Sequence, residues 1–205
     1  NMLGVIMSAA ELAGMEIAPD STAQEEIKSI VDAVKRAREL TLKLLTFARK
    51  DKLEVRGVKV ANILDDLRAM LTRTVPKNIA ISFETSTESV IKCDRNQIHQ
   101  ALLNVCNNAV DAMPDGGALT VRCSEISISD GFCNVCNQPM RGDFCLISVK
   151  DTGTGMPESI LSKITEPFFT TKGVGKGTGL GLSVTQGIIL AHGGHIHFHS
   201  APGKG

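Results

Sequence analysis

The sequence predicts an α+β chain in which a helical hairpin precedes a domain of mixed helices and strands. Three observations carry this. Apolar residues recur at helical spacing through the opening segment, with one break at Ala18-Pro19-Asp20-Ser21; the middle of the chain switches between helical period and strand alternation; and two glycine-rich stretches punctuate the second half. At 205 residues with 42% hydrophobic content, the chain holds one sizeable domain plus an extension.

The first helix, residues 2–17, lines Leu3, Ile6, Met7, Ala10 and Ala13 or Gly14 along one side. Pro19 stops it, and Asp20 or Ser21 caps the second. There Ile27, Ile30, Val31, Val34, Ala37, Leu40, Leu44 and Phe47 form the stripe, with Lys35, Arg36, Arg38, Glu39 and Lys43 on the wet face. Two isolated helices cannot bury stripes this wide, so a second hairpin or a neighbouring domain must cover them. Beyond a charged connector at 52–56, residues 58–71 read as an amphipathic helix and 79–83 as a strand. Asp94-Arg95-Asn96 caps a helix over 96–113. Residues 119–128 and 144–149 form an antiparallel pair, the second a buried strand, and 178–191 are the last helix, ended by Gly193-Gly194. Residues 196–200 alternate His with Ile and Phe, the pattern of a half-exposed strand face rather than a metal site.

Four segments carry chemistry. Residues 173–182 (GVGKGTGLGL) hold five glycines around one Lys and one Thr, bare backbone whose N–H groups can converge on a phosphate chain. A Walker A loop fails, because Gly175-Lys176 is followed by Gly177; the dinucleotide fingerprint fails, because Leu180 or Leu182 stands where its third glycine belongs. Upstream, Asp151-Thr-Gly-Thr-Gly-Met-Pro157 follows a strand and presents a carboxylate beside open backbone. Between them, Glu166-Pro-Phe-Phe-Thr-Thr-Lys172 suits a lid, with Phe168 and Phe169 as apolar anchors. In the helix over 96–113, Ile98, Ala101, Leu102, Val105, Ala109 and Ala112 form the buried stripe, while Asn104 and Asn108, one turn apart, share another face. Asparagine is mildly unfavourable inside a helix, and its neutral amide oxygen suits a half-hydrated Mg²⁺ that also binds phosphates.

On these four boxes, in order and spacing, residues 96–205 resemble the ATP-binding domain of sensor histidine kinases, in the superfamily shared with type II topoisomerases, a heat-shock chaperone and mismatch-repair ATPases. The resemblance implies a two-layer α/β sandwich, the Bergerat-type ATP-binding fold, over residues 53–205. It implies Asn108 as the Mg²⁺ ligand, Asn104 as its neighbour toward the phosphates, and Lys172 as a third catalytic group. Asp151 then accepts the adenine amino group and Gly153 and Gly155 shape the base pocket; Thr171, Lys172, Gly177, Thr178, Gly179, Leu180, Gly181 and Leu182 hold the phosphates near the start of the last helix.

The hairpin, residues 1–52, resembles the dimerisation and phosphoacceptor module of the same family, in which two protomers form a four-helix bundle. It departs from the pattern at the acceptor. The family His lies in a motif like H-D-F-N-N before the Met-Leu pair, and the five histidines here, His99, His192, His195, His197 and His199, all lie in the ATP-binding half. The expectation is a fragment of a longer bacterial kinase, homodimeric through the hairpin, with a response-regulator receiver domain as partner. An ATP-binding regulator or a dimerising ATPase is the alternative, although Asn104 stands where those ATPases place a water-activating Glu, and an amide deprotonates nothing.

Zero formal net charge and the absence of Trp and Tyr argue against nucleic acid as the partner. The opening stretch is too short to cross a bilayer and contains Glu11 and Glu16, so this segment reads as cytoplasmic, with any membrane anchor lying elsewhere in the full-length protein. Six cysteines without a secretory signal read as free thiols. Cys133-Asn-Val-Cys136 also has the spacing of a zinc knuckle. In a simple hairpin Cys123 and Cys145 face each other about 20 Å from that tip by strand rise, so a four-Cys zinc site requires the loop to fold back. Zinc at Cys133 and Cys136 stays open beside free thiols, and Cys93 and Cys106 read as small core residues.

Overall fold

In the computed structural model of the chain the described residues are 2–18, 21–48, 53–133, 135–173 and 177–205. The expectations for Pro19, Asp20, Gly175 and Lys176, and for the side chains of Leu3, Lys35, Arg36, Arg38, Glu39, Leu40, Lys43, Leu44 and Phe47, lie outside them. The chain divides into two compact units: Asn1–Asp51 with Thr171–Thr178, and Lys52–Thr170 with Gly179–Gly205.

The first unit is built on two helices, α1 (Met2–Glu16) and α2 (Thr22–Ala48). Ser21 caps α2, its Oγ accepting from Ala23 N at 3.2 Å. The helices meet beside the turn: Gln24 Nε2 donates to Gly14 O at 3.3 Å, and a Cβ on Gly14 would stand 3.3 Å from Ile27 Cγ2. Ala10 and Val34 are buried, but Val5, Leu12, Met15 and Ile30 are exposed, so this apolar surface exceeds what two helices cover.

In the second unit, β1 (Arg56–Lys59) pairs antiparallel with β3 (Val90–Cys93) as a small ribbon. The helix α3 (Val60–Thr74) follows β1 directly and ends where Val75, preceding Pro76, is forced into extended backbone. The main sheet runs β2–β4–β5: β2 (Ile79–Thr85) lies parallel to β4 (Gly117–Cys133), and β4 antiparallel to β5 (Gln138–Asp151). One face of β4 presents Leu119, Val121 and Cys123 to the core. The other carries polar pairs, Ser82 Oγ to Thr120 Oγ1 at 3.0 Å and Arg122 Nε to Glu84 Oε2 at 2.8 Å. Against the apolar face pack α3, through Ile63, Leu64, Leu67 and Leu71, and α4 (Arg95–Asp111), through Ile98, Ala101, Leu102, Cys106 and Ala109. Each such buried Leu or Ile contributes about 1.5–3 kcal/mol. The short α5 (Glu158–Leu161) and the final α6 (Gly181–Ala191) complete this α+β two-layer arrangement.

Some sequence expectations need correcting. The helix expected at 58–71 begins at Val60, because residues 56–59 are claimed by the ribbon. The last helix starts at Gly181 rather than Thr178. The strand at 144–149 is half-buried rather than buried, with Leu146 exposed, because β5 is the edge of the described sheet. Residues 196–200, expected as a strand, form none and join no ladder among the described residues.

Candidate functional site

The site is built around α4. Its start is fixed by Asp94, whose Oδ1 accepts from Asn96 N at 3.0 Å and Gln97 N at 3.3 Å, as the sequence predicts. Three further bonds set α4 against α6. Asp94 N donates to His192 Nε2 at 3.0 Å, Thr185 Oγ1 donates to Ala101 O at 3.4 Å, and Asn104 Nδ2 donates to Gly181 O at 3.4 Å. As the number rises along α4 it falls along α6, so the helices are antiparallel. His192 Nδ1 also lies 2.8 Å from Ile188 O, so the two bonds together require the Nδ1–H tautomer. His192 was not singled out by sequence reasoning; a His directly after a helix's last residue was the available signal.

This packing places the half-buried amides of Asn104 and Asn108 against the first turn of α6. A Cβ on Gly181 would lie 3.7 Å from Asn108 Nδ2, so the glycine keeps the helix start open beside that amide. The first turn of a helix carries unpaired N–H groups and about half a positive charge, which favours an anion there. Ser183 and Thr185 beneath it are buried; Ser183 donates to Leu180 O at 3.0 Å, and the single Thr185 proton is shared between Gly181 O at 2.9 Å and Ala101 O at 3.4 Å.

The far end of α4 touches the second glycine segment. Asp151 closes β5, and its Oδ1 accepts from Gly153 N at 2.8 Å, an Asx turn. Thr154 N donates to Ala112 O at 3.0 Å, and a Cβ on Gly153 would stand 2.6 Å from that same oxygen. Gly155 has φ +63° and a Cβ there would lie 2.0 Å from Ala201 O. Thr152, passed over in the sequence, anchors the turn to β4 by accepting from Ala118 N at 3.0 Å. So Asn104, Asn108, Asp151, Gly153 and Gly181 are joined through one helix.

The lid expectation is altered at its aromatics. Phe168 is 60% exposed, and what anchors it is backbone: its N–H donates to Gly179 O at 2.9 Å. Phe168 has φ 69° and Gly179 φ +64°, and a Cβ on Gly179 would come within 2.3 Å of Phe168 C. Phe169 is half-buried. Leu180 is buried and Leu182 half-buried at the start of α6. Thr171, Lys172, Gly177 and Thr178 belong to the first unit, where Thr171 is exposed and the other three are half-buried.

The cysteines fall into three settings. Cys93 and Cys106 are core residues, and burial pushes the Cys106 thiol up to about 12. Cys123 and Cys145 are diagonal neighbours across β4 and β5, where Cys123 pairs with Ile147 and Cys145 with Glu125, and their sulfurs lie 3.4 Å apart. Cys133 and Cys136 lie at the hairpin tip, where His195 joins them: its Nδ1 is 3.2 Å from Cys136 Sγ. His197 and His199, the histidines of the 196–200 segment expected as a half-exposed face, are exposed; His195 lies just before that segment.

Residues 93–205 match the family of histidine kinase-, DNA gyrase B- and HSP90-like ATPases. All of the chain aligns with the Sensor kinase CckA of Brucella abortus (strain 2308), at 38% identity over 206 residues and 22% of that protein's length. Sporulation kinase C of Bacillus subtilis (strain 168) is 31% identical over 179 residues, which cover 86% of this chain and 38% of that protein. The chain thus spans well under half the length of these relatives. Among solved structures, full-length ShkA in complex with AMPPNP shares the fold at a TM-score of 0.73 and 21% identity, covering 98% of this chain and 41% of that one. The catalytic domain of histidine kinase ThkA superposes at a TM-score of 0.54 with 28% identity, covering 68% of this chain and 82% of that one. No helix among the described residues is long and apolar enough to cross a membrane. With more than half its length matched, the chain belongs to the family of histidine kinase-, DNA gyrase B- and HSP90-like ATPases.

Proposed function

We propose that the chain is the catalytic core of a bacterial sensor histidine kinase, working in the cytoplasm, in which residues 53–205 bind ATP and residues 1–52 form the dimerisation and phosphoacceptor hairpin. The observation that carries this reading is the shared helix α4. Its amides lie against the start of α6, where a phosphate chain is favoured, and its C-terminal end holds the Asp151 turn, where a base is recognised. Asp151 uses one carboxylate oxygen within its own turn. In this reading the carboxylate accepts from the adenine 6-amino group, the position at which guanine presents a carbonyl oxygen.

Asn108 fits Mg²⁺: its amide borders the open helix start, and a neutral oxygen suits a hard cation already shared with phosphates. When bound, the ion would neutralise phosphate charge. Asn104 fastens the helix start through Gly181 O, and Lys172, Thr171, Gly177, Thr178, Leu180 and Leu182 complete the phosphate-binding set in this reading. In the transfer, the bond between the γ-phosphorus and the β,γ-bridging oxygen breaks, a P–N bond forms to the imidazole of an acceptor hairpin bearing the family His, which residues 1–52 do not carry, and ADP leaves. The domain's contribution is positioning and charge stabilisation. Phosphoryl transfer onward to an Asp of a receiver domain follows as the partner reaction; ThkA has been solved in complex with the response regulator protein TrrA. Exposed Val5, Leu12, Met15 and Ile30 support a homodimer through the hairpin.

The test supplies γ-labelled ATP, Mg²⁺ and, as acceptor, a dimerisation hairpin bearing an H-D-F-N-N segment. Acid-labile label on that hairpin, absent with Asn108→Asp, is the expected result. Hydrolysis of ATP to free phosphate at the same rate with and without acceptor, and no labelled hairpin, would instead indicate a water-using ATPase.

A further inference from the structure

The tip of the β4–β5 hairpin carries a feature that nucleotide binding does not use. Cys133, Cys136 and His195 each direct one ligand atom to a common point, all within 4.8 Å of one another. Two come from a C-x-x-C turn and the third from the segment after α6, so the convergence is made by the fold and not by local spacing. We propose that Cys133, Cys136 and His195 bind one Zn²⁺ ion, with a water in the fourth position.

The geometry of the turn supports this. A tetrahedral zinc with Zn–S near 2.3 Å and Zn–N near 2.0–2.1 Å places its ligand atoms about 3.5–3.8 Å apart. The 3.2 Å from Cys136 Sγ to His195 Nδ1 reaches that spacing with a shift of a few tenths of an ångström. Asn137 N donates to Cys133 O at 2.8 Å and Asn137 adopts φ 55°, the left-handed conformation that Asn tolerates best after Gly. This closes the C-x-x-C turn on which Cys133 and Cys136 are brought together.

The remaining contacts orient the third ligand. The Phe144 ring stacks edge-on against the His195 imidazole, with centroids 5.6 Å apart at 69°. Gln186 Nε2, from α6, donates to Val135 O at 3.4 Å, and Cys133 Sγ lies 3.5 Å from Ile196 O. Cys133 is fully buried, whereas Cys136 and His195 are half-buried and leave room for a solvent ligand. The other sulfur pair, Cys123 and Cys145, lacks an imidazole or carboxylate partner in such a cluster among the described residues. A zinc ion here cross-links the hairpin tip to the segment leaving α6. That segment holds the end of α6 opposite the glycine-bearing start, so the ion is a brace for the helix frame rather than a participant in transfer.

The test uses the whole chain without any affinity tag, reduced and equilibrated with Zn²⁺, then freed of loose metal. About one zinc per chain is expected by elemental analysis, and Co²⁺ in its place should give the intense visible bands of a four-coordinate site with a thiolate charge-transfer band. His195→Ala and Cys136→Ala should lose both signals while keeping their far-ultraviolet helicity. The Cys123→Ala/Cys145→Ala double variant should keep both. Chelation should lower the melting temperature of the parent by several degrees and leave that of His195→Ala unchanged. Absence of stoichiometric zinc in the parent overturns the proposal, as does zinc retained in His195→Ala and Cys136→Ala or lost only in the Cys123/Cys145 variant.

Discussion

The two glycine-rich segments look alike as sequence and differ as structure. In the turn after Asp151, both glycines are compelled: a side chain at Gly153 would strike Ala112 O, and one at Gly155 would meet Ala201 O in a backbone of φ +63°. In residues 173–182 the requirement varies by position. Gly179 is as tightly held as Gly155, against the Phe168 backbone; Gly181 borders Asn108 at ordinary contact distance; Gly173 has nothing within 4 Å of a built Cβ. Both described glycines of the first segment are held by backbone, whereas in the second Gly179 is so held and Gly173 is not. Glycine density in a sequence thus conflates close approach, left-handed backbone and mere openness.

Substitutions at these positions separate the three uses. Gly179→Ala and Gly155→Ala should have the largest effects, each costing about 2 kcal/mol or more in chemical denaturation, because positive φ and a backbone clash act together. Either variant being as stable as the parent would dissolve the distinction. Gly173→Ala should change stability by less than about 0.5 kcal/mol. The sign reverses at Gly187, which lies inside α6 with open space where a Cβ would stand and should stabilise by about 0.5–1 kcal/mol as Ala.

The same contrast between frame and periphery applies to the thiols. With burial pushing Cys106 up to about 12 from 9.0, it should resist alkylation at pH 8 until the chain unfolds. The sign for stability follows: the folded state keeps a proton that the unfolded thiol releases above 9.0, so this residue's contribution falls as pH rises through the window up to about 12. Rapid native-state labelling of Cys106, mapped by mass spectrometry, would show that α4 is not the packed core helix described above.

What could be read from sequence follows the range of the interaction. The Asp94 cap, the apolar stripe of α4, the Asn104–Asn108 face and the pairing of residues 119–128 with 144–149 are local or rest on a hairpin, so periodicity and turn chemistry reveal them. The β1–β3 ribbon was missed because Arg56–Lys59 is short and charged, and its pairing to Val90–Cys93 is long-range. In sequence Phe168 reads as a side-chain anchor, but its left-handed backbone against Gly179 is what holds the loop, and no periodicity encodes that. The approach of His195 to Cys136 joins residues distant in sequence and depends on where α6 ends. The spacing C-x-x-C hinted at half of that cluster; its third member required the fold.

The site shared by α4, the Asp151 turn and the start of α6 is tested most directly by calorimetric titration of ATP with Mg²⁺ into the parent chain, Asp151→Asn and Asn108→Asp. The expected result is one ATP per chain in the parent. Affinity should fall at least about tenfold, or 1.4 kcal/mol, in each variant, because one removes the carboxylate acceptor for the base and the other sets a negative charge beside the phosphates. Equal affinity across all three proteins would contradict it.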